Sequence, residues 1–276
     1  MKQPVEWRRK ATLARAGGPP PHYAPPAAAL EIFARRIEAL PPAAGRRNAM
    51  ILGATPELAD LAAAAGWRPL RIDCNPAMVA AADLRRANGS RDEERIIVAD
   101  WLAMPLAAAS VDLVLGDAAL NNIPHESMPA ALATLRRVCR PGAAILLRQL
   151  VLPDLPVAEY EVDAVLAARR AGRIDDDALD RAFRFYSFNA EALDPTRHLL
   201  DAERVFAAIR RMHESGRLLD AEHAFLMGRY SAVQHTIYPL AEQCRWLATL
   251  GSVTLEPLPE SLFYHRLYAV LAVHVG

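Results

Sequence analysis

The chain has 276 residues, 53% of them apolar and 23% charged, which is enough to bury a real core and far from the polar composition of disorder. Its 32 basic and 32 acidic residues cancel, so no overall field gathers a polyanion and no nucleic-acid partner is expected. Cys74, Cys139 and Cys244 are widely spaced without a C-x-x-C pair, so neither a disulfide framework nor a zinc site has its spacing. A reduced, cytoplasmic chain is the expectation, with no metal site, no secretory signal and no apolar run near the roughly 18 residues that span a bilayer.

Residues 1–26 carry a basic cluster (Lys2, Arg8, Arg9, Lys10, Arg15) and end in Gly17-Gly18-Pro19-Pro20-Pro21 and Pro25-Pro26, punctuation that predicts an N-terminal arm outside the sheet. Leu30, Phe33, Ile37 and Leu40 then recur at helical spacing before Pro41-Pro42 stops them. From Asn48 onward short apolar runs alternate with helical stretches. Strands are predicted at 49–53, 69–73, 95–99, 111–116 and 143–150, with helices at 56–66, 76–87 and 127–139 between them. Thr55 suits an N-cap and Pro56 the first helical position. This alternation predicts a parallel sheet covered on both faces. Residues 154–236 break the pattern with Ala-rich periodicity and no convincing strand, which predicts a helical insertion acting as a lid, a substrate element or a homodimer contact. A helix over 239–250 and strands at 252–258 and 267–275 complete the chain. With no helix between them, those last strands should form an antiparallel hairpin. The fold expected is α/β: a seven-stranded, mostly parallel, doubly wound sheet with a C-terminal hairpin. Its core spans 27–153 and 237–276 within one domain.

Candidate chemistry lies at the strand ends, where a doubly wound sheet binds ligands. Gly53 closes the first strand ahead of Ala54, Thr55 and Pro56, but the full G-x-G-x-x-G is absent, which leans against a pyrophosphate-bearing dinucleotide. Asp73 ends the second strand, where a carboxylate can accept from two ribose hydroxyls; the alternative is a simple helix cap, a role that Asn75 can take instead. Cys74, Asn75 and Met78 follow on the same lip. Asp100 and Trp101 close the third strand, and Asp117 the fourth.

The order of these segments resembles the class I, Rossmann-like S-adenosylmethionine-dependent methyltransferases. The resemblance implies S-adenosylmethionine as cofactor, with Gly53, Ala54 and Thr55 on its methionine part, Asp73 on ribose, and Asp100 with Trp101 on adenine. Arg140-Pro141-Gly142-Ala143 resembles the family's turn into its fifth strand, and the terminal hairpin its last two strands. The first loop departs from the family, with Thr55 and a helical residue where further glycines usually stand. Tyr23 is a candidate to fold over the cofactor. A base is not required for in-line methyl transfer, since alignment does most of the work. If one is used, Asp117 and His235 are candidates, beside His125, His198 and His223. Tyr160, Arg184, Tyr186, Arg197, Tyr230 and Tyr238 in the insertion are able to bind a polar substrate. The expected partner is a small-molecule acceptor. A catalytically silent cofactor-binding or regulatory protein of the same fold is the alternative, and an NAD-dependent oxidoreductase a further one.

Overall fold

The computed structural model describes Thr12 and residues 24–40, 47–83 and 94–276. The expected arm and Tyr23 lie outside the described residues.

The first helix, α1 (Ala27–Glu38), buries Ile32, Phe33 and Ile37 as its spacing requires. Strand β1 (Asn48–Leu52), helix α2 (Pro56–Ala64), strand β2 (Arg68–Asp73), helix α3 (Pro76–Asp83) and strand β3 (Arg95–Val98) follow. Next come β4 (Val111–Asp117), α4 (Met128–Val138) and β5, which runs from Cys139 to Leu152, longer than its apolar run predicted. After the insertion, a two-residue strand β9 (Tyr238–Pro239) leads to helix α10 (Leu240–Ala248) and strands β10 (Gly251–Pro257) and β11 (Tyr268–Val275).

The sheet order is β3-β2-β1-β4-β5-β11-β10. The first five strands run parallel, while β11 is antiparallel to both β5 and β10. The chain therefore forms the expected mostly parallel sheet with a terminal hairpin, because helices cross over between the early strands and none lies between the last two. Successive side chains point to opposite faces. Ala49 and Ile51 pack with Phe33, Leu58 and Ala62 of α1 and α2, while Met50 and Leu52 pack with Leu132 and Leu135 of α4. Gly116, in β4, lies where a Cβ would stand 2.8 Å from the Leu147 side chain, so a larger residue here would have to displace that leucine.

Residues 154–236 pack as α5 (Val162–Arg170), α6 (Asp176–Ala182), a π-helical turn (Phe183–Ser187), α7 (Asn189–Ala192), α8 (Ala202–Glu214) and α9 (Asp220–Gly228). Their core of Phe183, Val205, Phe206 and Ile209 continues into Leu150, Leu267 and Val270 of the sheet region. One expectation is corrected here: the insertion holds strands. β6 (Leu193–Asp194), β7 (Leu199–Leu200) and β8 (His235–Thr236) form a small antiparallel sheet. Each is two residues long, too short for alternation to show. The turn between β6 and β7 is closed by Asp194 Oδ1, which accepts from Thr196 N at 2.9 Å and Arg197 N at 3.1 Å. Asn121, in the loop after β4, ties this unit to the sheet: its amide donates to Leu150 O and Thr236 O at 3.0 and 2.7 Å, and its Oδ1 accepts from Leu150 N at 2.9 Å.

Candidate functional site

The strand order reverses between β1 and β4, and ligands of open α/β sheets bind in the crevice beyond that point. A cleft of about 300 Å³ opens there, over the carboxyl ends of β1, β2 and β4. Gly53, Ala54 and Thr55 form one side, Asp73, Cys74 and Met78 a second, Asp100 and Trp101 a third, and Asp117 the inner end. Pro56 and Asn75, also expected at the cofactor, are not among the residues that line the cleft.

Gly53 has φ +97°, a conformation that side-chain-bearing residues rarely adopt. Its N–H donates to Ile72 O at 2.8 Å, and the chain turns sharply enough to lie against the Trp101 ring, which a Cβ at Gly53 would meet at 3.5 Å. That ring is pinned by Nε1 donating to the same Ile72 carbonyl at 2.7 Å. Trp101 thus lines the cleft with its indole N–H already committed. Pro56 opens α2 as expected, whereas the Thr55 hydroxyl makes no capping hydrogen bond.

Asp73 keeps its carboxylate beside this turn. Oδ1 accepts from Asn75 N at 2.7 Å, and Asn75 Oδ1 in turn accepts from Ala77 N at 3.0 Å, so Asn75 caps α3 and leaves Asp73 to the cleft. Burial raises the Asp73 pKa from 3.8 to about 6, opposed by backbone N–H donation from Asn75 and Ala54 and by the Arg71 charge. The same burial, with the charges of Asp73 and Asp100, pushes the Cys74 thiol up, so Cys74 stays protonated at neutral pH. Asp100 accepts from Leu102 N at 2.9 Å, capping the short 3₁₀ turn that carries Trp101, and remains exposed.

Asp117 does not stand as a free base. Arg148, on β5, donates to it through Nε at 2.5 Å and Nη2 at 2.9 Å, with side-chain exposures of 1% for Arg148 and 4% for Asp117. Both carboxylate oxygens are thus engaged by one guanidinium. His235 does not reach the cleft either: it lies in β8 with its ring edge-on to Phe185 at 5.5 Å. His125 bonds to the Tyr238 hydroxyl at 3.0 Å, His198 faces Glu242 at 3.3 Å, and His223 stacks on His213 at 4.0 Å. Most of the insertion's polar candidates also serve packing. The Tyr160 hydroxyl donates to Phe263 O at 2.6 Å, Tyr186 accepts from Val157 N at 2.7 Å, Tyr230 packs on Phe206 and Arg184 is buried against Asp180 at 3.2 Å. Arg197 instead lines a second cavity, of about 350 Å³.

The reading of the sequence missed Arg148 and Asn122. Both lie among apolar or loop residues with no local signature, and only the pairing of β4 with β5 and the loop after β4 brings them to the cleft. Among the described residues no three His, Cys, Asp or Glu side chains converge as a metal-binding set, and no helix is long and apolar enough to cross a membrane.

Residues 52–147 match the model of a family described as a methyltransferase domain. Among solved structures, a Rhodobacter sphaeroides protein named provisionally as a Zn-dependent alcohol dehydrogenase is similar over 97% of this chain and 98% of that one, with TM-score 0.57 and 16% identity. The S-adenosylmethionine-dependent methyltransferase SibL, in its apo form, gives TM-score 0.51 and 14% identity over 90% of this chain and 54% of its own, so this chain spans about half of it. The PH0226 protein of Pyrococcus horikoshii OT3 gives 0.50 and 12%, covering 88% of this chain and 91% of that one. No curated protein matches. At these identities the structural likenesses speak to fold alone.

Proposed function

We propose that the chain, whose residues 52–147 match a methyltransferase domain, is a class I, Rossmann-like methyltransferase that transfers a methyl group from S-adenosylmethionine to a small-molecule acceptor by in-line displacement. The observation that carries this reading is the convergence of Gly53, Asp73, Trp101 and Asp117 on one cleft at the switch point of the sheet. The donor set fits the cofactor. Asp73 is a carboxylate with no phosphate-binding loop beside it, suited to the two hydroxyls of ribose. The Trp101 ring and the apolar Met78 and Leu102 line the part of the cleft that would hold a flat purine, and an exposed Asp100 oxygen would accept from its amino group. Gly53, Ala54 and Thr55 bring backbone polar groups to the methionine part. When bound, the cofactor supplies a methyl carbon already activated by sulfonium.

The protein's own work is then alignment and exclusion of water. Such positioning contributes about 7–11 kcal/mol in well-oriented reactions. Asp117, held by Arg148, fixes the inner wall. An oxidoreductase reading is disfavoured by the single glycine of the first loop, which cannot cradle a pyrophosphate as G-x-G-x-x-G does.

The test is calorimetric titration with S-adenosylmethionine, S-adenosylhomocysteine and NAD, on the wild type and on Asp73→Ala. Micromolar binding of the two S-adenosyl compounds, weakened at least tenfold in the variant, supports the proposal. Binding of neither would overturn it in favour of a silent scaffold, and binding of NAD alone would favour the oxidoreductase.

A further inference from the structure

We propose that β8, the strand by which the chain leaves the insertion, is a clasp on the inner wall of the cofactor cleft, with Thr236 as its positioning residue. Ligand binding in the cleft and docking of the insertion's end are then coupled; the ligand's identity rests on the methyltransferase reading above. The wall is the stretch 118–127 after β4. Ala119, Asn122, Ile123, Pro124 and Ser127 from this stretch line the cleft. Asn122 and Pro124 also line the second cavity, together with Thr236, so the wall stands between the two spaces.

This stretch is weakly held by its own structure. It contains two 3₁₀ turns, Leu120–Asn122 and His125–Ser127, whose hydrogen-bond geometry is poorer than that of an α-helix. It also begins under strain, since Ala118 has φ +50°, a left-handed conformation that is costly for a residue with a Cβ. Ala118 N–H donates to Arg148 O at 2.6 Å, and its carbonyl accepts from Asn122 Nδ2 at 2.9 Å. A strained conformation of this kind persists only where the surroundings over-determine it.

Further determinants come from the far end of the insertion. The Asn121 amide donates to Thr236 O at 2.7 Å, the Thr236 hydroxyl donates to Ile123 O at 2.7 Å, and His125 Nδ1 meets the Tyr238 hydroxyl at 3.0 Å. Asn121, Ile123 and His125 alternate along the wall, and Asn121 and His125 line neither space. They hold its back while Asn122 and Pro124 form its front. Thr236 bonds through both its carbonyl and its side chain, and it and Asn121 are each 2% exposed, so water does not replace a partner that is lost. Thr236 is fixed from the insertion side by pairing with Leu199 and by Ile237 N–H donating to His198 O at 2.7 Å. A ligand that touches Asn122, Ile123 and Pro124 does so only with the wall in place. It therefore stabilises the clasp by as much as the clasp strengthens its binding.

The experiment measures hydrogen–deuterium exchange by mass spectrometry, with and without S-adenosylhomocysteine, and titrates that compound, on the full chain and three variants. Thr236→Val keeps the shape and removes the hydroxyl, and Thr236→Ser keeps the hydroxyl. Val205→Ala loosens the insertion's core in α8, away from the wall, at a fully buried position. In the wild type, S-adenosylhomocysteine should slow exchange at residues 118–127 and at 235–238. Thr236→Val should speed ligand-free exchange at 118–127 and weaken S-adenosylhomocysteine by about fivefold or more each, the loss expected for one buried hydrogen bond. Thr236→Ser and Val205→Ala should stay within about threefold of the wild type in both. Smaller effects of Thr236→Val, equal impairment in Thr236→Ser, or equal impairment in Val205→Ala would overturn the clasp. Failure of the wild type to bind S-adenosylhomocysteine would overturn the methyltransferase reading instead. Ligand-free exchange then still decides the clasp: faster exchange in Thr236→Val with rescue in Thr236→Ser upholds it, and unchanged exchange overturns it.

Discussion

Asp73 carries two costs at once, because burial opposes its charge while its proposed partner needs that charge. With the pKa raised from 3.8 to about 6, a ligand whose hydroxyls donate to the ionised form binds about tenfold more weakly at pH 5 than at pH 7.5. Calorimetry with S-adenosylhomocysteine across that range should show this slope, and Asp73→Asn should flatten it at weaker affinity. The sign for stability runs opposite. A carboxyl whose folded pKa is raised contributes stability below 3.8 that is lost as pH climbs through 6, so Asp73→Asn should gain about 2 kcal/mol on the wild type between pH 4 and pH 7. Urea unfolding at both pH values measures it, and no gain at pH 7 would show the charge to be well solvated. Asp117 and Arg148 are a different case, since each compensates the other. Arg148→Met leaves a buried carboxylate alone and should cost about 3–5 kcal/mol, while the double variant Arg148→Met/Asp117→Leu should cost clearly less than the two single ones together. Additive losses would mean that the pair is not coupled. The acids of the cleft were legible in the sequence because parallel strands put their carboxyl ends on one edge. Their roles were not legible: Arg148, 31 residues after Asp117, reads as one charge inside an apolar strand, and the cleft-facing choice between Asp73 and Asn75 depends on which oxygen the turn turns inward.

At the scale of elements, caps show where local sequence signals hold and where they yield to tertiary demands. Asp201 opens α8, accepting through Oδ1 from Glu203 N at 2.9 Å and Arg204 N at 3.3 Å, so Asp201→Ala should cost about 1 kcal/mol in thermal or urea unfolding. Thr55 has the right residue type at the right place before Pro56, yet its hydroxyl makes no cap. Thr55→Ala should therefore change stability by less than about 0.5 kcal/mol and show itself in ligand affinity, because Thr55 lines the cleft. Equal losses in the two variants would contradict the assignment. The long, periodic elements were all readable: amphipathic helices by their stripes, the parallel strands by their apolar runs, the hairpin by the lack of a crossover. The strands of the small sheet were not, since the pairing of Leu199 with both Asp194 and Thr236 is decided by the fold of the insertion and by no pattern within two residues.

The whole molecule depends on how the insertion is fastened to the sheet, and one array of charges and rings does much of that. Arg148 lies over the Tyr268 ring at 4.3 Å. The hydroxyl of that same tyrosine accepts from Arg181 of α6 at 2.9 Å, and Arg181 lies over Tyr264 at 4.7 Å and donates to Asp177 at 2.7 Å. The array runs from the inner wall of the cleft, through β5 and β11, to the insertion. Arg181 is 2% exposed, so Arg181→Met removes a planar donor from a desolvated site and should cost about 2–4 kcal/mol, with Arg181→Lys recovering only part because a compact ammonium cannot stack and fork at once. The described tryptophans, Trp67, Trp101 and Trp246, all lie in the sheet and its flanks, whereas much of the helix content lies in the insertion. Fluorescence and far-ultraviolet circular dichroism therefore watch different parts of one chain. If the array makes them a single cooperative unit, the two signals fall together in urea for the wild type and separate in Arg181→Met, with ellipticity lost first. Coincident curves in both proteins would mean that the shared apolar core at Leu150 and Val270 couples the parts without help from the charges.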